Sequence, residues 1–134
     1  MDHLTKQQRS DAMKRVGTKD TPAEKLVKEF VQGLGYRFSA NVASLPGKPD
    51  VVLRSQKKIV FVHGCFWHFH SCKRVPKSNR TFWRAKFMSN KARDRRVVRE
   101  LKRSGWEVLI VWECWKKRPE YLRNRIYKFL ATKI

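Results

Sequence analysis

Apolar residues Leu26, Val27, Phe30, Val31 and Leu34 recur at the three- and four-residue spacing of one helical face. The stretch before them, Asp20-Thr21-Pro22-Ala23-Glu24, is a helix start. Thr21 can cap, Pro22 suits the first turn, and Glu24 occupies the capping-box position. Gly33 and Gly35 end the run. Residues 36–42 then read as a strand and Leu45-Pro46-Gly47-Lys48-Pro49 as a turn. Residues 50–53 and 57–63 read as two strands joined through Ser55-Gln56. After a segment rich in Cys and His, residues 81–103 form a long basic helix stopped by Gly105. Residues 106–112 are an apolar run of strand length, and residues 119–130 a closing helix. A short basic helix over residues 5–16 precedes all of these. The order α-β-β-β-α-β-α predicts an α/β protein with one mixed sheet flanked by helices.

At 134 residues the chain suits a single domain, residues 1–134, with a basic N-terminal segment over residues 1–18. The apolar runs 57–62 and 106–112 supply a core. No apolar stretch approaches the roughly 20 residues of a membrane span. Met1-Asp2-His3-Leu4 lacks the apolar run of a secretory signal, so the expectation is a soluble cytoplasmic protein, bound to the nucleoid when engaged.

Charge narrows the picture. Thirty-two Lys and Arg face eleven Asp and Glu, a net +21. That excess calls for a polyanionic partner, in most cases nucleic acid. It fits an enzyme acting on nucleic acid and a protein that only neutralises phosphates equally well. Three Cys is an odd count and argues against a disulfide framework; metal ligation or a buried thiol fits better.

Two residues suggest hydrolytic chemistry. Asp50 opens one strand of the hairpin and His63 closes the other, so both fall at one end of the sheet. Phosphodiester hydrolysis needs a carboxylate to hold Mg²⁺ and a group to activate water. On its own the pair fits a turn cap or a solvated charge as well. The next residues are more specific. Positions 63–72 read His-Gly-Cys-Phe-Trp-His-Phe-His-Ser-Cys, holding three of the four histidines and two of the three cysteines.

Leu45-Pro46-Gly47-Lys48-Pro49-Asp50, His63-Gly64-Cys65-Phe66-Trp67-His68 and Val111-Trp112-Glu113-Cys114 together resemble the very-short-patch-repair (Vsr) mismatch endonucleases. The similarity runs from about Arg9 to Cys114. It implies a restriction-endonuclease-like core in which Asp50 and the main-chain carbonyl of Val62 bind Mg²⁺. It implies that His68, assisted by Asp94, takes a proton from the attacking water. His63 would contact the scissile phosphate and Glu24 would order a water on the metal. The usual carboxylate and lysine of the wider nuclease superfamily are replaced here by Phe61 and His63, which makes a histidine mechanism coherent. Read from the residues alone, Glu24 also fits a capping-box residue and Asp94 an intrahelical partner of neighbouring arginines.

The same resemblance assigns Cys65, His70, Cys72 and Cys114 to a structural Zn²⁺. Such a Cys₃His set suits a closed tetrahedral site, although Cys114, at the end of a core strand, would also make an ordinary buried thiol. Phe66 and Trp67 correspond to a wedge entering the base stack from the major groove, and Met13 to a probe of the opposite groove. Lys86, Asn90 and Asp94 recur every four residues on one helical face; Lys86 and Asn90 match positions that face the mismatched pair. Arg84, Arg93, Arg95 and Arg96 suit phosphate contacts.

The implied activity is Mg²⁺-dependent nicking of one strand beside the thymine of a T:G mismatch, which initiates short-patch repair. The implied substrate is duplex DNA bound by a monomer, with mismatch-repair proteins as further partners. Two other readings stay open at this point. One is a site-specific endonuclease of the same fold acting on intact duplex. The other is a zinc-containing nucleic-acid-binding protein without activity, which would have no need of Asp50, His63 and His68.

Overall fold

The computed structural model describes residues 21–65, 68, 70 and 79–132. Helix α1 (Pro22–Gly33) begins where Thr21 accepts a hydrogen bond from the Glu24 N–H at 3.2 Å. It ends in a glycine cap: Gly35 is left-handed at φ +88°, and the Gly35 and Tyr36 N–H groups return to the carbonyls of Gln32 and Val31. The predicted strand over residues 36–42 is therefore corrected to β1 (Ser39–Ala40). Tyr36 is spent on closing the helix, and Asn41, at φ +51°, ends the regular ladder, although the Asn41 and Val42 N–H groups still reach the carbonyls of Asp50 and Pro49.

Strands β2 (Val51–Leu53) and β3 (Lys58–His63) form the expected hairpin, and β4 (Glu107–Trp112) joins it from the far side. The sheet order is β1-β2-β3-β4, antiparallel except for the β3–β4 pair. Helix α2 (Arg80–Arg103) is the crossover between those two parallel strands. A 3₁₀ turn (Glu113–Lys117) follows β4 and leads into α3 (Pro119–Ala131). The result is a single α/β domain with a mixed four-stranded sheet and three helices among the described residues.

Period-two alternation divides the core. Val51, Leu53, Val60, Leu109 and Val111 face α1 and α3, packing on Val27, Val31, Leu122, Ile126 and Leu130. Val52, Ile59 and Phe61 face α2, packing on Leu101 and the half-buried Val97, Val108 and Ile110. His63 continues the Ile59–Phe61 face, so the strand delivers its imidazole beneath α2. At the other end of β3, Lys58 is 1% exposed. Its ammonium donates to the carbonyls of Phe129 (2.6 Å), Leu130 (3.1 Å) and Thr132, and lies 3.9 Å from the Glu107 carboxylate. A cation there complements the negative end of α3. Among the described residues no helix is long and apolar enough to cross a membrane.

Candidate active site and metal centre

The hairpin register sets the site. Val51 pairs with Val60, so Asp50 reaches the level of Phe61 and Val62, and the Val62 N–H donates to Asp50 Oδ2 at 2.7 Å. Glu24 comes from α1. Its side chain is 2% exposed and meets the Lys28 ammonium at 3.8 Å. Thr21 caps the Glu24 N–H, but the Glu24 carboxylate is buried beside Asp50 and hydrogen-bonds it. Burial first, and then the bond and the charge of Glu24, push the Asp50 carboxyl up to about 7. The Val62 N–H and the Lys28 charge pull the other way without prevailing.

The histidines meet on the α2 side. His63 and His68 stack with centroids 3.8 Å apart and planes 8° from parallel. His68 Nδ1 lies 2.5 Å from Asp94 Oδ2. His63 is 7% exposed, and burial together with the neighbouring His68 pushes its pKa down to about 3. It is therefore neutral at neutral pH. Asp50, Val62, His63, His68 and Asp94 line one open cleft of about 560 Å³, joined by Gly47, Lys48 and Arg93. A fixed carboxylate–imidazole pair, a neutral imidazole and the half-buried Asp50 beside the buried Glu24 can together hold a divalent cation and move a proton.

A second cluster lies behind the first. Cys65 Sγ, a His70 ring nitrogen and Cys114 Sγ all lie within 4.8 Å of one another. Cys114 Sγ is 3.6 Å from His70 Nδ1, and the Cys114 N–H faces Cys65 Sγ at 3.4 Å. Thiol and imidazole donors at this separation suit a soft, closed metal site. Cys114 sits in the 3₁₀ turn just past β4 rather than at the strand's end. Cys72, Met13, Phe66, Trp67 and the basic helix over residues 5–16 lie outside the described residues.

On α2, Lys86 is exposed, and Asn90 and Asp94 are half-buried along the expected stripe. Arg84, Arg93, Arg95 and Arg96 are exposed. Sequence reasoning missed two participants. Lys28 is one turn beyond Glu24, and that spacing was the available signal. Trp112 pairs in register with His63; its ring stacks on His70 at 4.2 Å and meets His63 edge-on at 5.4 Å. One indole thus joins the two clusters.

The chain is similar in sequence to known proteins over most of its length. The family model of the DNA mismatch endonuclease Vsr matches residues 1–74. The DNA mismatch endonuclease Vsr of Escherichia coli is 44% identical over 118 residues, covering 87% of this chain and 76% of that protein. The type II nicking enzyme V.XorIIP of Xanthomonas oryzae is 42% identical over 115 residues, 84% of this chain and 85% of the relative. The type II nicking enzyme V.NmeAIP of Neisseria meningitidis is 40% identical over 131 residues, 96% and 94% of the two chains.

Proposed function

The chain belongs to the Vsr family of DNA mismatch endonucleases, and on that premise we propose that it nicks one strand beside the thymine of a T:G mismatch with Mg²⁺ as catalytic ion, initiating short-patch repair. Family membership makes it a DNA-nicking hydrolase. The observation that carries the finer reading is the cleft where Asp50, His63, His68 and Asp94 converge. The hairpin that sets Asp50 beside Val62 and His63 supports a restriction-endonuclease-like core.

The donors fit the ion. Two carboxylates, the half-buried Asp50 and the buried Glu24, oppose each other's charge, and a divalent cation relieves that opposition. Asp50 and the Val62 carbonyl would hold Mg²⁺, with Glu24 behind them, and the ion would supply Lewis-acid stabilisation of the scissile phosphate. His68 is the base. Its Nδ1–H donates to Asp94, which leaves Nε2 free to take a proton from the attacking water. Asp94 then stabilises the imidazolium. His63 stays neutral, so a ring N–H can donate to the phosphate without placing a like charge against His68.

Cys65, His70 and Cys114, completed by Cys72, would hold Zn²⁺ with all four positions filled by protein, a structural role. The zinc would tie the loop bearing His68 to the turn after β4. Phe66 and Trp67 on that loop form the wedge, Met13 probes the opposite groove, and Lys86 and Asn90 read the mismatched pair. Inserting apolar side chains costs a few kcal/mol of unstacking per step, least at a mispaired step.

The test is a nicking assay on T:G-mismatched and fully paired duplexes, with Mg²⁺ and with EDTA. One nick beside the thymine, confined to mismatched DNA and abolished by EDTA, is expected. Equal cutting of paired DNA, or cutting in EDTA, contradicts the reading. Elemental analysis finding no zinc would remove the Cys₃His site.

A further inference from the structure

The turn that delivers Asp50 carries a lysine whose backbone has no structural use for that side chain. Leu45 to Lys48 form a reverse turn closed by the Lys48 N–H on the Leu45 carbonyl at 3.1 Å, with Pro46 preset at its second position and Gly47 at φ +75° at its third. Gly47 is pressed against both walls of the cleft. A β-carbon there would lie 2.6 Å from Val97 of α2 and 3.2 Å from Phe61 of β3. The turn is therefore pinned, and so is the direction of the chain leaving it.

Lys48 follows at φ +50°. That region is unfavourable for lysine, tolerated by asparagine and free for glycine. Pro49 adds to the mismatch, because a residue preceding proline prefers extended backbone. The other left-handed non-glycine residues among those described are accounted for. Asn41 and Asn79 are the tolerant type, and the Lys57 ammonium lies over the Trp106 ring, 4.8 Å from its centroid. Lys48 is exposed, and among the described residues its ammonium makes no hydrogen bond or ion pair. It lines the cleft with Asp50, His63, His68 and Asp94, and Arg93 lines the same cleft from α2. A cleft containing Asp50 and Asp94 repels a phosphodiester unless cations on its rim offset them. Backbone strain concentrates where function requires a particular side chain.

We propose that Lys48 is a DNA-positioning residue whose ammonium contacts a backbone phosphate of the strand lying in the cleft beside Asp50. The inference rests on the endonuclease reading above. Lys48→Asn tests it, because asparagine suits the left-handed backbone and removes the charge. The melting temperature should stay at or above that of the wild type. Nicking of the mismatch duplex should lose about tenfold in kcat/KM, the scale of one charge-assisted hydrogen bond. The logarithmic salt dependence of DNA binding should become shallower by about one. Lys48→Arg should restore both. Wild-type kcat/KM and salt slope in a folded Lys48→Asn protein would overturn the proposal, as would a melting temperature that falls in step with activity. If the wild type itself does not nick, the functional reading fails instead, and the salt slope of duplex binding still decides Lys48.

Discussion

Strand β3 carries a buried ionisable side chain at each end, and the two are treated in opposite ways. Lys58 is surrounded by what a buried cation needs: three main-chain carbonyls at the end of α3 and the Glu107 carboxylate. At His63 and the neighbouring Asp50 the influences against the charged form outweigh those that favour it. His63 is pushed down to about 3 by burial and His68, and Asp50 up to about 7 by burial and Glu24. A satisfied buried charge fastens a scaffold. Groups held away from their ordinary protonation mark the place where a ligand is to complete the balance.

The largest effect expected from this contrast is at Asp50. Asp50→Asn keeps the shape and can still accept from the Val62 N–H, but removes the charge proposed to bind the metal. Single-turnover nicking should fall at least about a thousandfold, while the melting temperature holds or rises because a carboxylate buried against Glu24 is gone. Lys58→Met should do the reverse. It strands carbonyls at the end of α3 and should cost about 2 kcal/mol of stability, read as a lower denaturation midpoint, with nicking per folded molecule unchanged. Loss of nicking in folded Lys58→Met would break the contrast.

The smallest effect is in pH dependence and sharpens the comparison within the cleft. Folded Asp50 keeps its proton up to about pH 7, while the unfolded chain releases it near 3.8. The native state binds more protons in that window, so stability falls as pH rises. His63 acts oppositely. Folded, it takes a proton only near pH 3; unfolded, near 6.5. The unfolded state binds more protons there, so stability rises with pH. In the metal-free protein the two slopes largely cancel. Asp50→Asn should leave the rise and His63→Gln the fall, each at most about 1.4 kcal/mol per pH unit relative to wild type. Denaturant midpoints between pH 4 and 7 measure this, and parallel profiles for the two variants would contradict it.

Much of this was legible in the sequence. The helical spacing of Leu26 to Leu34, the short apolar runs of β2, β3 and β4, and the basic run stopped by Gly105 predicted α1, the hairpin and the crossover α2. Because the hairpin loop is short, Asp50 and His63 had to share one end of the sheet. What stayed hidden depended on contacts distant in sequence. Tyr36 looked like strand but closes the α1 cap, a choice made by Gly35. Glu24 satisfied a helix-start pattern so well that its pattern alone did not place its carboxylate against Asp50. Trp112 read as the end of an apolar strand and as part of a family motif, with no role of its own, since its place between His63 and His70 follows from parallel β3–β4 pairing across the length of α2.

The central claim is that the opposed carboxylate Asp50 is the catalytic metal's seat. Calorimetric titration with Mn²⁺, a hard-cation stand-in for Mg²⁺, in two buffers of different ionisation enthalpy tests it directly. At pH 6 the wild type should release about one proton per ion bound, and affinity should rise until the pH passes about 7, the pKa of Asp50. Asp50→Asn should lose both the binding and the proton release. Ion binding in Asp50→Asn equal to wild type, or wild-type binding with no proton released at pH 6, would contradict the account.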